Sequence, residues 1–423
     1  MKILFIHPNM PGQYKHLARV LGARKENTVL FLTKEKKVQI PGVQKIEYRM
    51  SRQSQPEIHR YIIGFEKAIH HGQETWRVLK KLKDQGFTPD IVCAHPGWGD
   101  ALFAKDIYPK SPLLSLLEFY YHAFGADSHF FPDDEVKADE VCRIRVKNAT
   151  NLLNLEACDW GICPTRFQLK QNPKEFHHKI SQLHEGIDCQ AIASGSHDEM
   201  MMPNKKRLKK GMSIVTYVTR NMEPHRGFFT FMRSLEPLLK MNPDVEVVIV
   251  GSDGVSYGRS PENFKTYKEQ MLSEVKLDLK RVHFLGHLPY EQYLQVLNIS
   301  AAHIYLTVPF VLSWSMLEAM AAKCIVIASD TEPVCEVIKD GSNGLLVDFF
   351  DAQALADKVQ HVLTHQEDYD SLRLKAHQTI QEKYSLEKVL PYHIKLIEEL
   401  AEGQKRPSVA QELAALYDEG NNG

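Results

Sequence analysis

Glu318 stands one helical turn into the segment SWSMLEAMAAK, just after a loop that leaves an apolar strand. A carboxylate there accepts a pair of hydroxyls such as a ribose offers, while loop amides ahead of it face sugar or phosphate oxygens. Farther back, TRNMEPHRGF places Arg220 and Arg226 around a turn that ends at Gly227. Guanidinium groups are permanently charged and fork onto two oxygens, so they suit a diphosphate. A solvated loop cation is the plain alternative for Arg226, but its place before Gly227 and a new helix favours phosphate. VVIVGSDG carries Gly251 and Gly254 directly after a strand, a weak nucleotide signal because the full GxGxxG fingerprint is absent.

The first half has its own chemistry-bearing residues. His95, in AHPGWGD, ends a strand with Gly97 and Gly99 leaving room around it; a structural strand-end histidine is the competing reading. Glu118 follows the apolar run of SLLEFYY and is either a partnered buried carboxylate or a site residue, the latter preferred. The first strand runs into Pro8, Asn9, Met10, Pro11 and Gly12, a tight turn that lets a ligand approach the backbone, although a turn alone needs the same residues. Asp368 and Asp370, in HQEDYDSLR, read better as helix-start caps than as a metal-binding pair.

The elements that must position these residues alternate between strand and helix. Strands are expected at 3–7, 29–33, 91–95, 113–119, 159–164 and 180–184, and again at 213–219, 245–251, 282–286, 303–307, 324–329 and 344–349. Tyr14, Leu17, Ala18 and Leu21 recur at helical spacing between the first two. This is the βαβ pattern of a doubly wound α/β sheet, present twice, with ligands at the carboxyl ends of the strands. The expected organisation is a first domain over 1–193, a polar linker over 194–211, a second domain over 212–384, an amphipathic helix over 385–402 and a frayed polar tail over 403–423.

At 423 residues, two cores are the default. A chain 43% hydrophobic and 25% charged buries ordinary cores, and a formal net charge of -1 argues against a general nucleic-acid binder. The seven cysteines form no CxxC pair, which fits free thiols in a reducing cytosol. MKILFIHP starts a strand, not a signal peptide, and no apolar run is long enough to span a bilayer. The basic run KKRLKK at 205–210 is either solvated or a peripheral contact with an anionic membrane face.

Taken in order, RNMEPHRG, VVIVGSDG, VHFLGHLPYEQY and SMLEAMAAKCIVIASDTEPVCEVIKDGSNGLLVD resemble the family 4 glycosyltransferases of the GT-B fold. The resemblance covers nearly the whole chain and is strongest from 211 to 348. It implies two Rossmann-like domains facing across a cleft, the first receiving the acceptor and the second a nucleotide sugar, and a final helix that crosses back. It also implies transfer with retention of configuration and no metal or other cofactor, the acceptor being a glycan, a lipid-linked sugar or another hydroxyl.

By that resemblance, Glu318 matches the second glutamate of the paired-glutamate motif, which holds the nucleotide ribose. Leu312, Ser313, Trp314 and Ser315 match the loop whose amides meet the donor. Arg226 stands where the family has a lysine beside the diphosphate, while the family's arginine position falls on Asn221, one residue after Arg220. Gly286, His287 and Leu288 match the stretch bordering the base. Glu118 takes a strand end where many members have a histidine near the reacting centre, and Gly12 lies on the acceptor side. The first glutamate of the pair is replaced by Phe310. Either another residue supplies its contact, or the donor sugar differs, or transfer is lost; the first two together are preferred. The rival functions are a sugar-nucleotide epimerase or hydrolase and a silent nucleotide-sugar binder.

Overall fold

Short apolar runs that pack on both faces make parallel strands, and each needs a crossover connection, usually a helix, to return the chain to the same edge. The computed structural model, which describes residues 1–52, 57–195 and 197–417, shows two such arrays. One compact unit comprises Met1–Gly186 and the chain from Glu387 onward, the other Ile187–Leu386.

In the first unit, β1 (Lys2–Ile6), β2 (Thr28–Thr33), β3 (Val43–Glu47), β4 (Ile91–Ala94), β5 (Leu113–Leu116), β6 (Trp160–Cys163) and β7 (Ile180–Gln182) form a parallel sheet in the order β3-β2-β1-β4-β5-β6-β7. Ile3 lies opposite Val29 and Ile91, so the two-residue side-chain period stays in phase across the sheet. Ile3, Phe5, Val29 and Phe31 bury one face against Leu17 and Leu21 of the helix Lys15–Ala23, and Leu4, Ile6, Leu30 and Leu32 bury the other against Leu79 of the helix Ile63–Asp84.

The first of these cores also takes in Val389, Leu396, Ile397 and Leu400 from the helix Leu386–Ala401, so the chain returns to its first unit after completing the second. The expected frayed tail is corrected over its described part. Residues Val409–Tyr417 form a helix with Val409 and Leu413 buried, Glu399 Oε2 accepts the Val409 amide at 3.1 Å, and the Tyr417 hydroxyl accepts the His184 amide at 3.3 Å. Val409 and Leu413, four apart, dock one face of this short helix on the core, and Ala410 and Leu416 pack beside them. Residues 418–423 of that tail lie outside the described residues.

In the second unit, after the helix Cys189–Ser194, a hairpin of β8 (Glu199–Met201) and β9 (Arg207–Lys209) lies inside the stretch expected to be a polar linker. Its Met202 and Leu208 are buried in one cluster with Ile214, Val248 and Val250. Strands of three residues are too short to display alternation, which is why the charges dominated the reading. Lys206 pairs with Glu246, while Arg207 and Lys209 approach Glu199 at 3.4 and 3.8 Å, so much of the basic run is answered within the fold. Ser196 of that stretch lies outside the described residues.

The main sheet of this unit is parallel, with β10 (Ile214–Asn221), β11 (Glu246–Ser252), β12 (Val282–Gly286), β13 (Ala302–Tyr305), β14 (Val326–Ser329) and β15 (Leu345–Val347) in the order β12-β11-β10-β13-β14-β15. In both sheets the winding reverses beside the first main strand, between β1 and β4 and between β10 and β13. The loops leaving those neighbours diverge there and open a crevice at the carboxyl edge. All seven cysteines are free, four of them buried and Cys142 exposed. Among the described residues no helix is long and apolar enough to cross a membrane.

Candidate functional site

Each unit gathers polar side chains at its own switch point. In the first, the loops after β1, β4 and β5 bring together His7, Gln13, His95 and Glu118. Gly12 has φ +50, and a Cβ on it would sit 2.4 Å from His7 Nε2, so only glycine lets the turn pass this close to the ring. That passage places Gln13 Oε1 2.8 Å from His7 Nε2 and Gln13 Nε2 3.3 Å from Glu118 Oε1. His95 accepts the Gly97 amide at Nδ1, 3.2 Å away, and its Nε2 lies 3.4 Å from Glu118 Oε2. Trp98 covers both imidazoles, with ring centroids 5.2 Å from His7 and 4.6 Å from His95.

Burial, and then the neighbouring His95, lower the His7 pKa to about 4, against the pull of Gln13 and of the carboxylates of Asp100 and Glu118. Asp100 is wholly buried behind this group, bonded to the Tyr48 hydroxyl and 3.4 Å from His71 Nδ1. Sequence reasoning selected Gly12, His95 and Glu118, which the fold brings together. It missed His7, Gln13, Trp98 and Asp100. His7 had a readable signal, since it leaves β1 as His95 leaves β4; Gln13 had none.

In the second unit, Arg226 follows β10 in a short 3-10 turn, Pro224–Arg226, closed by Gly227 at φ +64, where a Cβ would sit 2.3 Å from the Leu306 Cβ. Its guanidinium is mostly buried. Nη1 donates to Thr307 Oγ1 at 2.8 Å, the Val311 carbonyl at 3.0 Å and the Tyr305 hydroxyl at 3.4 Å, and the group lies 5.4 Å from the Tyr257 ring centroid. The loop after β13 thus holds the cation that the loop after β10 supplies. Arg220 is exposed at the end of β10, and Asn221 Nδ2 donates to Ser256 Oγ at 2.6 Å. Glu223, unselected by sequence reasoning, is fully buried. Its Oε2 accepts the amides of Ser256 and Tyr257 at 3.0 and 2.8 Å, and its Oε1 has no hydrogen-bond partner.

The helix Trp314–Ala321 starts where expected, capped by Ser313, whose Oγ accepts the Ser315 amide at 3.3 Å and the Ser315 hydroxyl at 3.0 Å. The Ser313 amide donates to the Tyr305 hydroxyl at 2.8 Å, so two of the expected donor-facing amides have acceptors within the fold. Glu318 sits one turn in, its two oxygens accepting the hydroxyls of Tyr290 and Tyr293, each at 2.8 Å. Burial, with Glu318 next, raises both phenol pKa values, which keeps them donors. Gly251 lies in β11 and Gly286 closes β12 with open space where a Cβ would go, whereas Leu288 packs against the hairpin's apolar cluster. Phe310 is buried. Asp370 starts a helix and pairs with Arg373 at 2.9 Å, and among the described residues no cluster of three or more His, Cys, Asp or Glu is arranged to hold a metal ion.

Comparison with known proteins agrees with this architecture. Residues 25–192 match the family model described as Glycosyl transferase family 4 group, and residues 201–379 that described as Glycosyl transferases group 1. A probable sucrose-phosphate synthase from Thermosipho melanesiensis is 21% identical over 335 residues, 77% of this chain and 74% of that protein. Among solved structures, sucrose-phosphate synthase from Thermosynechococcus elongatus has a TM-score of 0.67 at 18% identity, over 96% of this chain and 100% of that one. Anabaena HepE in complex with UDP-glucose has a TM-score of 0.64 at 16% identity, over 95% and 100%. The fold is that of the GT-B glycosyltransferases, with two parallel-sheet Rossmann-like domains.

Proposed function

We propose, for a chain that belongs to the glycosyltransferases with an N-terminal domain of the family 4 group and a C-terminal domain of group 1, that it moves a sugar from a nucleoside-diphosphate sugar to an acceptor hydroxyl. The observation that carries this reading is Arg226. A mostly buried guanidinium, braced by Thr307 and Val311 at the switch point of the second sheet, is a fixed positive charge where a diphosphate is expected to lie. Such a charge costs no reorganisation as the leaving diphosphate develops its own, which supports transfer without a metal ion.

Glu318, steadied by two tyrosines, takes the ribose hydroxyls, and the end of β12 from Gly286 borders the base. Glu118 or His95 positions the acceptor hydroxyl in the first domain. Retention of configuration follows the family resemblance. Because HepE is seen with UDP-glucose, a UDP-sugar is the first donor to try. Peripheral contact with a membrane-bound acceptor is compatible with the reading but has less support from 205–210, where Lys206, Arg207 and Lys209 have carboxylate neighbours.

The test is a panel of nucleotide sugars screened by thermal shift, followed by transfer to a mixed acceptor pool with and without EDTA and by NMR of the product's anomeric centre. A ligand that binds only the folded state raises its apparent stability. Binding without any product, in the presence of every acceptor, would favour the silent binder that Phe310 suggests; sugar released without acceptor would favour a hydrolase. An inverted product would refute retention.

A further inference from the structure

The donors that Gln13 and His95 turn toward Glu118 point one way. His7 accepts the Asn9 amide at Nδ1, 2.9 Å away, so its neutral ring carries the proton at Nε2 and donates it to Gln13 Oε1. With its oxygen so engaged, Gln13 turns its amide nitrogen to Glu118 Oε1. On the other side the Gly97 amide occupies His95 Nδ1, which leaves the proton of the neutral ring at Nε2, the atom facing Glu118 Oε2. That buried Nε2 has no hydrogen bond of good geometry in the structure, so its donor is still to be used. Exposure divides the group in the same way: His95 is 1% exposed, whereas the Glu118 side chain is 38% exposed. A ligand reaches the carboxylate and not the ring.

We propose that Glu118 alone meets the acceptor, as a hydrogen-bond acceptor for a sugar or polyol hydroxyl, and that Gln13 and His95 are positioning residues that do not exchange a proton with the substrate. This rests on the reading of the first domain as the acceptor side. It also gives His95 and Glu118, which both follow strands of the first sheet, different roles. His95 has no free lone pair with which to act as a base, since the Gly97 amide takes Nδ1 and the proton blocks Nε2. A carboxylate surrounded by donors selects ligands that add another donor, which is a hydroxyl on a neutral sugar or polyol and not a phosphate oxygen.

The test uses the full chain in two arms. In the first, selectively 15N-histidine-labelled protein is expected to show His7 and His95 as Nε2–H tautomers at pH 7.5; an Nδ1–H tautomer at either position overturns the proposed direction of donation. In the same arm, titration with glycerol or methyl α-glucoside is expected to shift the 13C signal of the Glu118 carboxyl, and no shift with either probe refutes its contact with the acceptor. In the second arm, UDP-glucose is the donor and methyl α-glucoside the acceptor. Gln13→Leu and His95→Phe are expected to lower kcat/KM for the acceptor by about 10- to 100-fold, with the KM for UDP-glucose changed less than about twofold. His95→Gln, which keeps an N–H where Nε2 was, is expected to recover to within about fivefold of wild type with an unaltered pH profile. If His95→Gln is as impaired as His95→Phe and one limb of the profile disappears, His95 carries a proton and the proposal fails. Absence of any turnover from UDP-glucose strikes the proposed donor, and the spectroscopic arm then decides the inference independently.

Discussion

Phe310 packs edge-on against Tyr257, with ring centroids 4.9 Å apart and planes at 69°. The same tyrosine ring lies under Arg226, and its amide donates to Glu223. The position where the family resemblance called for a carboxylate is therefore a buried aromatic support for the residues around the phosphate-side cation. Restoring the carboxylate should harm the fold before it helps the chemistry. Phe310→Glu is expected to lose an aromatic pair worth about 0.5–1.5 kcal/mol and to desolvate a carboxylate, for a total of roughly 3 kcal/mol or more. Phe310→Leu should cost about 1–2 kcal/mol. Calorimetric melting of both variants checks this; a Phe310→Glu protein as stable as wild type would show that the position is open to a ligand.

Glu318 and its two tyrosines make a second prediction. Glu318→Ala is expected to weaken nucleotide-sugar binding about 10- to 100-fold, the scale of hydrogen bonds to a charged group, while the far-UV circular dichroism stays that of the wild type. Tyr293→Phe removes only one of the two hydroxyls that steady the carboxylate and should change affinity less than about threefold. Titration calorimetry with UDP-glucose, or with whichever nucleotide sugar binds best, measures both. Unchanged affinity in Glu318→Ala would end its ribose role.

The contrast between these residues shows what a linear reading captures. Glu318, Arg226, His95 and Glu118 were selected because each leaves an apolar strand, and parallel sheets put all such exits on one edge. Their partners were not legible. Gln13 meets Glu118 across 105 positions, and Tyr290 and Tyr293 reach Glu318 from a helix 25 or more residues away, so no local period reports the contact. Strand β3 escaped because only Val43 in it is buried, and an edge strand half open to solvent loses its apolar pattern. The hairpin at 199–209 escaped for the opposite reason, its apolar residues being too few beside the five basic residues at 205–210. Phe310 was marked by what it lacks, and only the structure shows that it supports Tyr257.

Four buried imidazoles predict acid sensitivity. Burial is the largest cause in each, lowering the pKa of His7 and His393 to about 4 and of His184 and His303 to about 3. The sign follows from proton counting. Each ring is neutral in the fold but takes a proton near pH 6.5 once unfolded, so below that pH the unfolded chain binds more protons and stability falls until the folded rings themselves titrate. For His7 alone the full loss is on the order of 3 kcal/mol. His303→Asn keeps a polar atom near the Thr216 hydroxyl, which His303 Nδ1 meets at 2.8 Å, but cannot titrate. It should be less stable than wild type at pH 8, with the gap narrowing toward pH 5. A gap that stays constant across that range would contradict the assignment.

Glu223 should respond to pH with the opposite sign. Burial raises its pKa, against the amides of Tyr257 and Ser256 and the charges of Arg226 and Arg220. A carboxyl that holds its proton more tightly in the fold than in the unfolded chain contributes stability below the unfolded value of about 4.3, and that contribution is lost as pH rises through the higher folded value. Glu223→Gln removes the ionisation and keeps an oxygen for the two amides. The difference in melting temperature between Glu223→Gln and wild type should therefore move in the variant's favour between pH 4 and pH 7. Glu223→Ala removes the acceptor as well, so the Ser256 and Tyr257 amides should exchange faster in that variant than in Glu223→Gln, and Arg226 should lose the ring beneath it. A melting difference that is flat with pH, together with equal exchange in the two variants, would mean that Glu223 neither titrates in this range nor holds the loop that carries Tyr257.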